Sequence, residues 1–323
     1  MLKMFRYVSA ILFTALIVLP TYPALAASYP VREVRMVIPW NAGGSNDIMA
    51  RLIQPVLEKE GVKIIVENVP GGSSAVGLGQ VANAKPDGYT LGWATSSILS
   101  LIAEGKIPLT MEQFTPLVKA SEDELILIVS KNSPHKNLKS FMDNIKANPG
   151  KVTIGTPGAR TVNDLLAILM ARSVDSTPRS IPYPGGSRAV AELLGGQIDG
   201  AVLKPGESMQ VIKSGDVLPL GIFTENRSQV LPDVPTFKEM GYNVFPYGPL
   251  KQISFIVAPA NLPEEFKPIL IKAFTAAYNS PEFLKFCEEN AVVANPVSGK
   301  ALDDEVHGVV STLGTVLKQM SGK

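Results

Sequence analysis

Four times in this chain, a short apolar run passes into a turn of Gly, Ser, Thr or Pro and then into a helical pattern. The turns are Trp40-Asn-Ala-Gly-Gly-Ser45, Asn68-Val-Pro-Gly-Gly-Ser-Ser74, Thr156-Pro-Gly-Ala-Arg-Thr161 and Tyr183-Pro-Gly-Gly-Ser187. A helix that starts from such a turn leaves its first backbone N–H groups without intrahelical partners, and its dipole makes that end positive. Each turn is therefore suited to an anion. Two turns come from each half of the chain, which predicts two α/β lobes facing each other across a cleft. Gly43, Gly44, Gly71 and Gly72 permit positive φ and a close approach of main chain to ligand. One Gly-rich turn would be no more than a tight strand-to-helix connection. Four in equivalent positions, at the carboxyl ends of strands, favour binding.

The intervening pattern supports this fold class. Residues 34–38 are a β-rich run ended by Pro39, and apolar residues between Asp47 and Glu60 recur at helical spacing until Gly61. Strands at 63–66 and 89–94 flank a helix at 75–84, an alternation that argues for a parallel sheet with right-handed crossovers. Residues 125–129 are wholly apolar, as in a strand buried on both faces. The pattern then restarts, with helices at 139–147, 162–172 and 188–194 and strands at 152–155, 180–182, 199–203 and 218–223. A second apolar run at 253–257 precedes two amphipathic helices, at 264–279 and 301–320. The chain is thus expected to leave one lobe near 125 and return near 253. That makes residues 27–124 with 253–323 the first lobe, 125–252 the second, and the two linking strands a hinge.

The N-terminus is a targeting signal. Lys3 and Arg6 precede an apolar run from Val8 to Leu19, and Ala24-Leu-Ala26 supplies small residues for cleavage after Ala26. About a dozen apolar residues fall short of the roughly 20 that span a bilayer. The protein is expected to be exported. About 297 residues remain, enough for two cores. Without Lys3 and Arg6, basic residues number 28 against 29 acidic. There is no basic excess for nucleic acid and no polybasic tract for a membrane surface, so selectivity for an anion must be local. The single cysteine, Cys287, excludes an intrachain disulfide and reads as a packed residue of a C-terminal helix.

Several segments, taken in order, resemble the solute-binding proteins of tripartite tricarboxylate transporters. They are Tyr29-Pro-Val-Arg32, Val37-Ile-Pro-Trp-Asn-Ala-Gly-Gly-Ser-Asn-Asp47, Val66-Glu-Asn-Val-Pro-Gly71, Lys85-Pro-Asp-Gly-Tyr-Thr-Leu91, Pro182-Tyr-Pro-Gly-Gly186, Leu193-Leu-Gly-Gly-Gln-Ile-Asp199, Arg227-Ser-Gln-Val-Leu-Pro-Asp-Val-Pro-Thr236 and Ala258-Pro-Ala260. The resemblance spans essentially the whole mature chain. It implies a type II periplasmic-binding-protein fold, two α/β lobes joined by two hinge strands. It also implies a receptor that closes on a small organic di- or tricarboxylate and delivers it to a membrane permease. In that family, backbone N–H groups and ordered waters at the first two turns hold one carboxylate, and the second lobe selects the rest of the ligand. Ala42, Gly43, Gly44, Ser45 and Asp47 match the first turn, Gly71 and Gly77 the second, residues 155–158 approximate the third, and Tyr183, Gly185 and Gly186 match the fourth. The chain departs from the family at Ser73-Ser-Ala75, where a Gly-Gly-Asn-like stretch is usual, at Asn46 in place of Thr, at Arg160 in place of Gly and at Arg188 in place of Pro. These departures bear on which ligand is bound, not on its class.

Side chains at the turns add specific chemistry. Ser45 or Asn46 can cap the first helix. Asp47 would repel a carboxylate and is expected to orient the turn or a bridging water. Ser73, Ser74 and Thr156 offer neutral hydroxyls, and Gly158 lets the third turn come close. Arg160, Arg188 and Lys204 are the cations at the expected rim of the second lobe, where an Arg could pair with a further carboxylate; the alternative for each is a solvated surface cation. Trp40 and Tyr183 either wall the cleft or pack into a core. No cofactor is expected, because neither G-x-G-x-x-G nor G-x-x-x-x-G-K-[ST] occurs at the turns. No zinc or hydrolase motif occurs, and His135 and His307 lie outside the turns. The leading expectation is a monomeric binding protein with no enzymatic activity. The alternatives are a periplasmic sensing module for a membrane kinase and an exported enzyme built on paired carboxylates.

Overall fold

The structure, a computed structural model, describes residues 29–321. The targeting segment and its cleavage position lie outside the described residues. The chain begins with β1 (Val34–Ile38), α1 (Ser45–Lys59), β2 (Ile64–Asn68), α2 (Ala75–Ala82), β3 (Thr90–Thr95), α3 (Ser96–Glu104) and β4 (Phe114–Asp123). It continues through β5 (Ile126–Ser130), α4 (Leu138–Ala147), β6 (Thr153–Thr156), α5 (Val162–Arg172), β7 (Arg179–Pro182), α6 (Gly186–Leu194), β8 (Gly200–Leu203), α7 (Pro205–Lys213) and β9 (Val217–Ile222). It ends with β10 (Gln252–Pro259), α8 (Lys267–Tyr278), α9 (Pro281–Glu289), β11 (Val292–Ala294) and α10 (Lys300–Met320).

Two sheets organise these elements into two α/β lobes. One has six strands in the order β11-β4-β10-β3-β1-β2, and the other has five in the order β7-β6-β8-β5-β9. The expected parallel pairing holds where strand and helix alternate, β1 lying parallel to β2 and β3, and β6 to β7 and β8. The strands nearest the crossings are antiparallel: β10 to β3 and β4, and β5 to β8 and β9. The sheets exchange between Asp123 and Ile126 and again between Ile222 and Gln252. Phe223 N–H donates to the Leu125 carbonyl at 2.9 Å, which ties the two crossings together.

Local sequence explains the elements. On α1, Met49, Ala50, Ile53 and Leu57 are buried at helical spacing, and Gly61 beyond the helix takes φ 85°. The apolar β5 lies between β8 and β9 with Ile126 to Val129 fully buried. Thr161 caps α5 by accepting from Asp164 N–H, and Ser280 caps α9 by accepting from Phe283 N–H. Each sheet is covered on both faces. One core joins α1, α8 and α9 to the first sheet through Met49, Ile53, Phe274 and Phe283. Burying a side chain of this kind contributes about 2 kcal/mol. A second apolar cluster runs from Leu78 and Leu99 of the first lobe to Leu127, Phe141 and Leu166 of the second.

The structure adds five elements to the sequence-based expectation. The helix expected at 264–279 is α8, and a further helix, α9, follows it, started by Ser280-Pro281. Cys287 lies on the buried face of α9, and burial, with Asp123 adding to it, pushes its thiol up to about 12. The other four are the strands β4 and β11 and the helices α3 and α7. In β4 the polar Lys119 is itself buried, held by the Glu305 carboxylate at 2.6 Å.

Candidate functional site

All four Gly-rich turns lie where a strand runs into a helix: β1 into α1, β2 into α2, β6 into α5 and β7 into α6. They meet in pairs across the two lobes. In the first pair, Asn41 N–H donates to the Pro184 carbonyl at 3.3 Å, and the Ser187 hydroxyl to the Ala42 carbonyl at 3.2 Å. In the second pair, the Ser73 hydroxyl donates to the Ala159 carbonyl at 2.8 Å, and Ser100 of α3 to the Arg160 carbonyl at 2.6 Å. Only small residues allow this approach. A Cβ on Gly158, whose φ is 106°, would fall 2.6 Å from Ser73 Oγ, and one on Gly185 would fall 3.2 Å from the Asn41 nitrogen.

Between the two pairs lies a closed cavity lined by Trp40, Asn46, Thr95, Ser97, Pro157, Asn163, Lys204, Glu207 and Gln252. Its free space is about 10 Å³, roughly one water, so a ligand must enter by parting the lobes. The lining comes from both sheets and from the crossing strand β10, and it is largely polar. Gln252 Oε1, in the lining, is buried without a partner, as are the Ser45 and Ser74 hydroxyls at the starts of α1 and α2. A buried hydroxyl or amide without a partner costs about 1–3 kcal/mol, a cost a hydrogen-bonding ligand would remove.

Lys204 is the central charge. It is buried, and its ammonium pairs with the Asp123 carboxylate, donates to Ser254 Oγ at 2.9 Å and reaches Asn46 Oδ1 at 3.4 Å. It thus ties the end of β8 to α1, β4 and β10 of the other lobe. Glu207, three residues on, accepts from Lys204 N–H at 3.1 Å. Its carboxyl presses against Gly186 at the start of α6, where a Cβ would collide with it. Burial pushes the Glu207 carboxyl up to about 7, with Asp123 adding to the effect and the Lys204 charge and N–H opposing it.

Of the residues expected at the site, Trp40 and Lys204 line this cavity, and Trp40 is 7% exposed. Gly44 and Ser45 start α1 beside it, with Ser45 Oγ facing Gly206. Asp47 turns away, Oδ2 accepting from Gly43 N–H at 2.9 Å and Oδ1 from Arg51 and Asn68 at 3.0 Å. Although burial raises its pKa, these hydrogen bonds outweigh that and hold it below the usual carboxylate range. It shapes the turn, as the charge argument requires. Gly71, Gly72, Ser73 and Ser74 take φ values of 132°, 54°, 53° and 88°; Ser73 makes the contact with the third turn, and none of the four lines the cavity. Thr156 is buried with its hydroxyl on the Gly158 carbonyl at 3.1 Å, so Pro157 lines the cavity in its place.

Three of the expected residues lie away from this cavity. The Arg160 guanidinium pairs with Glu104 of the first lobe and is half exposed. Arg188 pairs with Glu192 one turn along α6 and points to solvent. Neither lines the cavity. Tyr183 is partly buried against the core cluster of the second lobe and does not line the cavity; burial and Glu192 push its phenol up.

Sequence reasoning missed Thr95, Ser97, Asn163, Glu207 and Gln252. Two further strand-to-helix turns supply most of them: β3 into α3 through Thr95-Ser-Ser97, and β8 into α7 through Lys204-Pro-Gly-Glu207. A hydroxyl run and a Lys-Pro-Gly sequence directly after a strand were the available signals. Among the described residues, no cluster of His, Cys, Asp and Glu has metal-binding geometry, and no helix is long and apolar enough to cross a membrane.

Comparison with known proteins gives a consistent result. Residues 49–316 match the family described as tripartite tricarboxylate transporter family receptor. BugT of Bordetella pertussis is 28% identical over 308 residues, covering 92% of this chain and 94% of that protein. A protein from the ttuE–ttuC′ intergenic region of Agrobacterium vitis is 30% identical over 319 residues, covering 96% of this chain and 90% of its own. Among solved structures, the periplasmic binding protein BugD superposes with a TM-score of 0.83 at 27% identity, covering 91% of this chain and 99% of that one. MatC from Rhodopseudomonas palustris, with bound malate, superposes with a TM-score of 0.80 at 25% identity, covering 89% and 99%.

Proposed function

This chain belongs to the tripartite tricarboxylate transporter receptor family, and from that premise we propose that it captures a small organic di- or tricarboxylate in the cavity between its lobes. The protein is a solute receptor of the periplasmic binding class, a family of receptors rather than enzymes. The observation that carries the ligand reading is the cavity itself. Its walls come from strand-to-helix turns of both lobes, with unpartnered hydrogen-bonding atoms around it. The malate bound to MatC supports a carboxylate here too.

In this reading one carboxylate lies at the starts of α1 and α2, where free N–H groups and helix dipoles favour it and the Ser45 and Ser74 hydroxyls can donate. Closure about the crossings at 123–126 and 222–252 then traps the ligand. We take residues 27–124 with 253–323 as one lobe and 125–252 as the other. The mature chain begins after Ala26, acts as a monomer and hands its ligand to a membrane permease.

A thermal-shift screen of the mature protein tests the ligand class. A carboxylate at a hundred times its dissociation constant adds about 2.7 kcal/mol, a rise of several degrees in Tm, while sugars and uncharged solutes add nothing. A shift from a neutral solute, with none from any carboxylate, would overturn the proposal.

A further inference from the structure

The closed cavity has no cation left to meet a second carboxylate. Lysine has three N–H donors, and those of Lys204 go to Asp123, Ser254 and Asn46. Arg160 and Arg188 are bound to Glu104 and Glu192 outside it. The Asn163 amide donates to the Val202 carbonyl at 3.0 Å. What the second lobe does present to the cavity is an acid, Glu207. With Lys204 and Asp123 cancelling, an ionised Glu207 would leave the site net negative and repel any second carboxylate. On the carboxylate-receptor reading, we infer that Glu207 meets the ligand's second carboxylate as the neutral acid and donates the hydrogen bond that no cation of the cavity can supply.

The surroundings of Glu207 suit that role. Its Oε2 is occupied by the Lys204 N–H, and Gly186 holds the carboxyl in place from α6. The charged groups facing it are Lys204 and Asp123. From α6, Arg188 and Glu192 pair with each other and point away. Around the same cavity, α1 presents Asn46, with Asp47 turned to Arg51, and α5 presents Asn163, with Asp164 turned to Ser180 and the Arg160 N–H. Strand β3, helix α3 and strand β10 offer Thr95, Ser97, Gln252 and Ser254, none of which titrates in the ordinary range. On α7 itself, Lys213 reaches away to the Glu289 carbonyl. Burial in a site this poor in counter-charge favours the protonated acid, and an anionic ligand group beside it favours that form further. Above neutral pH, each ligand therefore brings one proton with it from solution, and the proton stays on Glu207.

Calorimetric titration with succinate from pH 5.5 to 8.5, in buffers of different ionisation enthalpy, tests this. Succinate is fully ionised over the upper half of that range, so its own titration does not interfere. The expected result is affinity that falls about tenfold per pH unit above pH 7, with uptake of about one proton per ligand bound there. Glu207→Gln keeps a donor that cannot ionise, so its affinity stays level across the range with no proton uptake, and thermal unfolding checks that it folds. A level profile without proton uptake in the native protein, or the same slope in Glu207→Gln, would overturn the inference. So would binding of butyrate but not of succinate, glutarate or adipate, a result that leaves a carboxylate receptor but narrows its ligand to a monocarboxylate. Silence from every mono-, di- and tricarboxylate would instead sink the receptor reading.

Discussion

Ser73 and Ser74 hold the left-handed backbone at the second turn, with φ of 53° and 88° after two glycines that also have positive φ. For an L residue this conformation costs about 1 kcal/mol each. Ser73 recovers part of that through its hydrogen bond to the Ala159 carbonyl across the cleft. Ser74 recovers nothing within the protein, since its buried hydroxyl has no partner. Ser74→Gly should therefore raise the stability of the unliganded protein by about 1 kcal/mol, or roughly 2 °C in Tm by scanning calorimetry. A lower Tm would show that the serine is not strained. Two strained residues in succession beside a cleft fit a site shaped for approach to something other than its own chain.

At the scale of elements, the site is a ring of helix starts brought together from two sheets. One tight joint is where α7 meets α1: a Cβ on Gly206 would lie 2.9 Å from Ser45 Oγ. Gly206 sits in the first turn of α7 outside the positive-φ set, so a side chain there strains no backbone and acts on closure alone. Gly206→Leu is expected to keep the lobes apart. Affinity for a dicarboxylate falls at least tenfold, and small-angle scattering shows no contraction when ligand is added. Normal affinity with normal contraction would place the closing surfaces elsewhere.

The four Gly-rich turns were legible in the sequence because a tight strand-to-helix connection leaves its mark in residue type. The turns at Thr95 and Lys204 carry no double glycine, so they passed unread although they line the cavity. The fate of the cations was not legible at all. Arg160 finds Glu104, 56 positions earlier in the chain and in the other lobe, and Lys204 finds Asp123 at the crossing. Only the folded arrangement decides such pairings. The strand β4 was hidden for a related reason. Lys119 reads as a surface residue until Glu305, far along the chain, neutralises it in the interior.

The molecule as a whole is closed in this structure, and neutral groups do most of the closing. The four backbone and hydroxyl hydrogen bonds between facing turns contribute about 1 kcal/mol each. The Lys204–Asp123 pair contributes less than its geometry suggests, because both ions lose water on closure. Closure is thus favourable by only a few kcal/mol, and a ligand that satisfies the buried donors can set the balance. The central claim is that a carboxylate sits between the lobes and completes them. A crystal structure of the mature protein saturated with the best dicarboxylate of the thermal screen tests it most directly. The expected density lies between the lobes, one carboxylate within hydrogen-bonding distance of Ser45 or Ser74 and the other beside Glu207. Density instead in the groove behind the hinge, lined by Glu124, Arg227 and Cys287, with the cavity between the lobes unchanged, would contradict it.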